Sequence, residues 1–176
     1  MSIEREVKIP VPSFDGVRPL LGQIDAKFLG TEQEVNRILD NAERVLYQRH
    51  QILRVRSTPD GVLTWKGVLR EHQASGHKVR TELEVHVAAQ EVETLLQLLE
   101  GLGFTEVLRY EKERDTWQWR GIQVMLDSLV FGQFVEIEGN ADDIESAVQA
   151  LGLDGYQRET RSYPELQQQY QDAHKP

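Results

Sequence analysis

The sequence contains no cysteine, which excludes disulfides, thiolate nucleophiles and cysteine-bound zinc. No apolar run reaches the roughly 20 residues that a membrane-spanning helix needs, and the first residues lack the apolar region of a signal peptide. Basic residues are outnumbered by acidic ones, so the net charge is −9 over 176 residues, which argues against general nucleic-acid binding. We therefore expect a cytoplasmic protein with no membrane or nucleic-acid partner.

The five histidines show no metal-ligand spacing, and we expect none of them to be catalytic. What is present is an ordinary globular composition, with 39% apolar and 28% charged residues, enough to build a core. The length predicts one domain over residues 1–176. Helical patterns follow Ser13, cover the segment AQEVETLLQLLEGLGF, run from Ala141 to Leu151 and begin again at SYPEL.

Charged residues at alternate positions are the unusual feature of the chain. Near the N-terminus, Glu4, Glu6 and Lys8 alternate with Val7 and Ile9. Alternate side chains of a β-strand share a face, so this strand has one charged and one apolar face. For a single strand, a solvated outer face is the simpler interpretation.

The same alternation recurs in later strand-like segments, where a solvated face would carry more uncharged polar residues. The further charged positions are Arg54 and Arg56, Lys66, Arg80 with Glu82 and Glu84, Lys112 with Arg114, Asp127, and Glu136 with Glu138. We therefore predict an α+β fold in which an antiparallel β-barrel encloses a charged tunnel and helices pack outside. Buried charges of this kind need mutual neutralisation, and the carboxylates and basic groups of the set are nearly balanced. Arginine suits phosphate oxygens, and paired carboxylates suit Mg²⁺ or Mn²⁺.

The order of these segments resembles the CYTH superfamily, the triphosphate tunnel metalloenzymes, over about residues 3 to 166. The resemblance lies in the N-terminal Glu-x-Glu-x-Lys, in RILDNAERVLYQRHQILRVR, LTWKG, VRTELEV, YEKERDTW, VMLDSLVFGQFVEIEG and RSYPEL. Within the superfamily the chain looks most like class IV adenylate cyclases and thiamine triphosphatase-like proteins. The resemblance implies a closed tunnel in which acidic residues bind one or two divalent metals and basic residues grip a triphosphate.

The resemblance implies functional roles only for residues that match the motifs of the family. The implied metal ligands for Mg²⁺ or Mn²⁺ are Glu4, Glu6, Asp127, Glu136 and Glu138, with Glu82 and Glu84 as further candidates. The implied phosphate-binding residues are Lys8, Arg54, Arg56, Lys66, Arg80, Lys112 and Arg114. We expect Glu4, Glu6, Lys8 and Arg56 to be the catalytic residues. Tyr163 is expected to be structural, with a possible contact to the ligand, and Trp65 and Trp117 are expected to pack or to lie at the rim.

Several functions remain open at this point. The first is a metal-dependent cyclase that converts ATP to cyclic AMP and pyrophosphate. The second is a hydrolase acting on tripolyphosphate, thiamine triphosphate or a nucleoside triphosphate. The third is a non-catalytic sensor of polyphosphate or nucleotide, and the fourth is a charged barrel that binds other proteins. The expected partner is a small-molecule triphosphate, and the expected assembly is a monomer or a homodimer.

Overall fold

The computed structural model describes residues 2–67, 71–72 and 76–175. The strands in this part of the chain are β1 (Ser2–Val11), β2 (Lys27–Asp40), β3 (Ile52–Ser57), β4 (Gly61–Lys66), β5 (Glu71–His72), β6 (Lys78–Val87), β7 (Thr105–Trp119), β8 (Ile122–Leu129) and β9 (Gly132–Glu138). The α-helices are α1 (Val17–Gln23), α2 (Val45–Gln48), α3 (Val92–Gly101), α4 (Ala141–Ala150) and α5 (Tyr163–Ala173), and a 3-10 turn covers Ala89–Glu91. No helix among the described residues has the length and apolar character needed to cross a bilayer.

Eight antiparallel strands close into a barrel, as the sequence predicts. Their order is β1-β9-β8-β7-β2-β3-β4-β6, and β6 pairs back onto β1. Closure depends on β1, whose first half pairs with β6 and whose second half pairs with β9. The pairing partner of β1 changes at Glu6, which stands opposite both Lys78 of β6 and Glu138 of β9. A barrel of about this size has room for interior side chains or one small ligand.

Apolar side chains cover the outside of the barrel because the strand period of two sends them away from the charges. Val7 and Ile9 of β1 are fully buried there, while Lys8 between them faces inward. One outer core lies with α1 and α4 against β1, β9 and β8 and includes Ile122, Val124, Leu126, Val135, Ile137, Ile144 and Val148. A second lies under α3 and includes Leu39, Val55, Leu63, Leu95 and Leu99. Each fully buried aliphatic side chain of this size contributes roughly 1.5–3 kcal/mol.

The interior is not charged along its whole length. At one end, apolar side chains of the strands meet α5 in a cluster of Ile38, Leu108, Tyr110, Phe134, Tyr163 and Leu166. Ile38, Tyr110 and Phe134 lie two residues from charged or polar inward positions, so they share the inner face of their strands. Helix α5 therefore brings Tyr163 to the boundary between the apolar end and the charged part of the barrel.

Three local predictions from the sequence need correction. The sequence offers Ser13 as the N-cap of the first helix, but α1 begins after Gly16 and has no side-chain cap. The polar segment 70–77 is typical of a loop, but residues 71–72 pair with β6 as β5; residues 70 and 73–75 lie outside the described residues. The glutamine-rich C-terminal segment is expected to fray after a helical start, but α5 begins with a capping box of Ser162 and Glu165 and continues to Ala173.

Candidate functional site

The barrel encloses a cavity of about 290 Å³ lined mainly by charged side chains. The basic lining residues are Lys8, Arg54, Arg56, Lys66, Lys78, Arg80, Lys112 and Arg114. The acidic lining residues are Glu4, Glu6, Glu82, Glu84, Glu136 and Glu138. All the predicted phosphate-binding residues and all the predicted metal ligands except Asp127 therefore line one cavity. The prediction that the alternating charges face inward is confirmed, and the alternative of a solvated face is wrong.

Strand register arranges these charges around the cavity. Residues directly opposite each other in an antiparallel pair share a face, with Cβ atoms about 4.5–5.5 Å apart. Lys8 of β1 stands opposite Glu136 of β9, and Lys66 of β4 stands opposite Glu82 of β6. Opposite charges thus meet across strand boundaries at many positions, but not at all of them.

On one side of the cavity the lining residues Lys112, Arg114 and Glu136 form a cluster with Glu34 and Asp127, which do not line the cavity themselves; this cluster is here called the paired wall. Arg114 Nη2 lies 2.5 Å from Glu136 Oε2 and 2.5 Å from Asp127 Oδ2. Lys112 Nζ lies 3.1 Å from Asp127 Oδ2 and 3.5 Å from Glu34 Oε2. Each carboxylate of this wall therefore contacts at least one cationic group.

Glu34 shows how the cations of the paired wall favour an ionised carboxylate. Its side chain is fully buried, and burial alone raises a carboxyl pKa. The charges of Lys112, Arg114 and Arg56 outweigh this burial and lower the pKa of Glu34 to about 2. Glu34 was not predicted from the sequence, although it lies at an alternate position to Asn36 on β2.

The opposite side of the cavity, here called the carboxylate wall, consists of Glu4, Glu6, Glu82 and Glu138. Lys66 forms ion pairs with two of them: its Nζ lies 2.7 Å from Glu4 Oε1 and 3.3 Å from Glu82 Oε1. Glu6 Oε1 lies 3.6 Å from Lys78 Nζ, which is beyond hydrogen-bond distance. Within the described residues, Glu138 has no ion pair or side-chain hydrogen bond.

Like charges dominate the surroundings of Glu138. Burial first, and then the nearby charges of Glu4 and Glu6, raise the pKa of Glu138 to about 7. Glu6 and Glu138 stand directly opposite each other, an arrangement that is repulsive when both are ionised. Among the described residues, no three histidine, aspartate or glutamate side chains are already gathered in metal-binding geometry.

Two lysines converge on the backbone that leads into α5. Lys78 Nζ donates to the carbonyl oxygen of Arg161 at 2.8 Å, and Lys8 Nζ donates to the same oxygen at 3.1 Å. Burial, followed by the charge of Lys8, lowers the pKa of Lys78 to about 8. The ammonium group of Lys8 also lies 3.7 Å from the centroid of the Tyr163 ring. Lys78 was not predicted as a site residue, although it precedes Arg80 by two residues and therefore shares the inner face of β6.

Three guanidinium groups retain unused donors. Arg54 Nε, Arg56 Nε and Arg80 Nη1 are buried and have no hydrogen-bond partner among the described residues. The side chains of all three line the cavity. A buried donor without a partner costs about 1–3 kcal/mol, so an acceptor bound in the cavity would recover this free energy.

Comparisons with known proteins agree with this architecture. The sequence model of the CYTH domain family matches residues 2–163. A Methanocaldococcus jannaschii protein, MJ0240, described as a candidate adenylate cyclase, is 26% identical over 152 residues, which cover 85% of this chain and 83% of that protein.

Two solved structures show the same fold at low sequence identity. A Vibrio parahaemolyticus protein described as a candidate adenylate cyclase superposes with a TM-score of 0.78 at 22% identity, covering 94% of this chain and 97% of that chain. Hippeastrum HpAC1, a candidate adenylyl cyclase described as having a dominant triphosphatase activity, superposes with a TM-score of 0.75 at 18% identity, covering 97% and 96%.

Proposed function

We propose, from the premise that this chain belongs to the CYTH domain family, that it is a divalent-metal-dependent enzyme acting on a triphosphate-bearing substrate inside the barrel. The observation that carries the proposal is the set of buried, unpartnered donors on Arg54, Arg56 and Arg80. The planar guanidinium fork matches phosphate oxygens. Each charge-assisted hydrogen bond contributes roughly 1.5–3 kcal/mol.

The number of basic lining groups supports a polyanion as the occupant. Eight basic side chains line the cavity beside six acidic ones, so several cationic donors are available to phosphate oxygens. Because the basic groups come from β1, β3, β4, β6 and β7, they surround a ligand instead of gripping one terminal group. This distribution favours a chain of phosphates over a single phosphate.

Mg²⁺ or Mn²⁺ is the proposed cofactor, and the carboxylate wall suits such a cation. Glu4, Glu6, Glu82 and Glu138 would supply the hard oxygen ligands that these ions prefer. The raised pKa of Glu138 supports this assignment, because a cation would relieve the repulsion from Glu4 and Glu6. When bound, the metal would neutralise phosphate charge and orient the phosphate oxygens. Metal binding by Glu84 and Glu136 stays a prediction.

ATP cyclisation is the leading reaction, because the matched relatives include candidate adenylate cyclases. In this reaction the ribose 3′-hydroxyl oxygen attacks the α-phosphorus, and the bond from that phosphorus to the bridging oxygen breaks. Pyrophosphate leaves, and the proton of the hydroxyl passes through solvent to the pyrophosphate. Such transfer depends mainly on positioning and on charge stabilisation. The basic lining residues would hold the triphosphate in place and stabilise the departing pyrophosphate.

Triphosphate hydrolysis is the second candidate, and the aromatic residues of the lining favour it. Tyr163 is buried with its ring against Lys8, and Tyr110 is buried in the apolar end cluster. Neither ring is therefore free to stack on a nucleobase. Recognition that depends on the phosphates alone would accept tripolyphosphate as well as nucleotides.

A substrate panel separates these reactions. The purified protein is incubated with ATP, tripolyphosphate or thiamine triphosphate in Mg²⁺ or Mn²⁺, and cyclic AMP, pyrophosphate and phosphate are quantified. We expect turnover that excess EDTA abolishes, with cyclic AMP identifying the cyclase and phosphate the hydrolase. Binding without turnover would indicate a sensor, and full turnover in EDTA would contradict the metal dependence.

Arg56→Ala is the variant that links turnover to the cavity. We expect kcat/KM to fall by roughly 10- to 100-fold, the loss that one or two charge-assisted contacts predict. Arg109→Ala is the matched control, because its guanidinium is half exposed and contacts Glu111 outside the cavity. Equal activity of both variants would remove Arg56 from the site.

A further inference from the structure

Asp127 accepts four side-chain hydrogen bonds from three residues, and donors reach both of its oxygens. Oδ1 accepts a hydrogen bond from Arg114 Nε at 2.6 Å. Oδ2 accepts hydrogen bonds from Arg114 Nη2 at 2.5 Å, from the Tyr163 hydroxyl at 2.8 Å and from Lys112 Nζ at 3.1 Å. The residue is completely buried.

These contacts fill Oδ2 and leave Oδ1 with one donor, since each carboxylate oxygen offers about two acceptor positions and three of the four hydrogen bonds fall on Oδ2. Asp127 is completely buried and is not among the residues that line the cavity. A metal ion in the cavity could therefore reach it only by displacing Arg114, Lys112 or Tyr163, which contact Asp127 and line the cavity. Displacing one partner from such a buried ionic group is costly, because a charge is then left without compensation.

Glu138 of the carboxylate wall has the opposite environment. It lines the cavity, and no ion pair or side-chain hydrogen bond occupies its oxygens within the described part of the chain. Asp127 thus accepts hydrogen bonds from three side chains, whereas Glu138 faces other carboxylates. Sequence resemblance assigned both residues to the metal.

We propose that Asp127 is a positioning residue, not a metal ligand, and that together with Tyr163 it holds Arg114 and Lys112 in place for the triphosphate. This inference rests on the proposed function. Asp127 engages Nε and Nη2 of Arg114, which fixes the plane of the guanidinium and leaves Nη1 outside the pair. Because both basic side chains line the cavity, their orientation determines which of their N–H groups can donate to a phosphate chain.

Tyr163 connects this arrangement to the C-terminal helix. Its hydroxyl donates to Asp127, and its ring faces the ammonium of Lys8, so one side chain contacts two parts of the basic lining. The position of Tyr163 is set locally, because it opens α5 between the capping residue Ser162 and Pro164, with Glu165 completing the capping box. The helix start therefore acts as a support for the site.

The test measures metal binding and anion binding separately. Mn²⁺ affinity is measured by electron paramagnetic resonance without any phosphate compound, and tripolyphosphate affinity by calorimetry in EDTA, for the wild type, Asp127→Asn, Tyr163→Phe and Glu138→Gln. For Asp127→Asn we expect the Mn²⁺ Kd to stay within about twofold while the tripolyphosphate Kd rises about tenfold, the loss of one charge-assisted contact. For Glu138→Gln we expect the Mn²⁺ Kd to rise at least about tenfold.

Tyr163→Phe keeps the test decisive if Asp127→Asn does not fold, since it removes a single donor and preserves the ring. We expect weaker tripolyphosphate binding and a higher KM, with unchanged Mn²⁺ affinity. The matched controls are Asp154→Asn and Tyr156→Phe, at exposed positions, which should alter neither affinity.

Two outcomes overturn the inference and are distinguishable. If the wild type binds both probes but Asp127→Asn, or Tyr163→Phe in its place, loses Mn²⁺ to the same extent as Glu138→Gln, then Asp127 belongs to the metal site and the proposed function stands. If the wild type binds neither Mn²⁺ nor tripolyphosphate, the proposed function fails and the inference fails with it.

Discussion

The paired wall and the carboxylate wall of the cavity place carboxylates in opposite environments. On the paired wall, fully buried Glu34 contacts Arg56 and Lys112 and has its pKa lowered to about 2. On the carboxylate wall, Glu138 faces Glu4 and Glu6 and has its pKa raised to about 7. Burial therefore does not by itself decide the protonation state of an acidic group, because the surrounding charges can lower or raise its pKa. Of the two walls, only the carboxylate wall has repulsion that a bound cation could relieve.

The largest effect is expected when a carboxylate is removed from the paired wall. We expect Glu34→Gln to lower the free energy of unfolding by about 3–5 kcal/mol, because it leaves buried cationic groups uncompensated. Urea denaturation measures the change. Glu111→Gln is the control, since its side chain is 65% exposed and should change stability by less than about 0.5 kcal/mol. A loss below about 1 kcal/mol for Glu34→Gln would show that the wall is solvated.

The two walls predict opposite slopes for the dependence of the free energy of unfolding on pH. The folded-state pKa of Glu34 lies at about 2, below its ordinary value of 4.5. Its contribution is therefore present above pH 4.5 and is lost as the pH falls toward 2; at about 1.4 kcal/mol per pKa unit it amounts to roughly 3 kcal/mol. The folded-state pKa of Glu138 is raised from 4.5 to about 7, so its contribution is present below pH 4.5 and is lost as the pH rises through 7.

Urea midpoints in EDTA across this pH range measure both slopes. The metal-free protein should be most stable near the ordinary carboxyl pKa and should lose stability on either side. Glu138→Gln should flatten the decline toward neutral pH and leave the acidic decline intact. If the variant keeps the full decline toward neutral pH, the repulsion within the carboxylate wall is not its source.

The smallest expected effect concerns ligand-dependent stability. We expect Glu6→Gln to keep the fold and to lose most of the stabilisation by Mn²⁺ with tripolyphosphate. That stabilisation is about 2.7 kcal/mol for the wild type at a ligand concentration of 100 Kd. Glutamine preserves the shape of the side chain but removes the negative charge that a hard cation requires.

Thermal melting with and without these ligands, alongside the turnover assay, measures the effect of Glu6→Gln. The matched control is Glu113→Gln, an exposed glutamate on β7, which should keep the full melting shift. A Glu6→Gln protein with both the shift and the activity of the wild type would show that Glu6 takes no part in metal binding.

Much of the barrel could be predicted from alternation alone. A period of two forces Glu4, Glu6 and Lys8 onto one face whatever the rest of the chain does, and the same holds for Arg54 and Arg56. Glu34 escaped prediction because the surrounding segment, which also contains the irregular pairing near Gly30, shows weaker alternation. Lys78 escaped because it stands at the very start of its strand, next to a polar segment without a clear pattern.

Which side chains share a face follows from the amino-acid sequence, because strand parity is a local property of consecutive residues. The start of α5 is local in the same way, through Ser162, Pro164 and Glu165. Which charges are neighbours depends instead on the tertiary structure. Closure of β1 onto β6 and β9 sets Glu6 beside both Lys78 and Glu138, and α5 brings Tyr163 to Asp127 across 36 residues of sequence. Such contacts depend on the register between strands and on where a distant helix packs, and no local pattern specifies either.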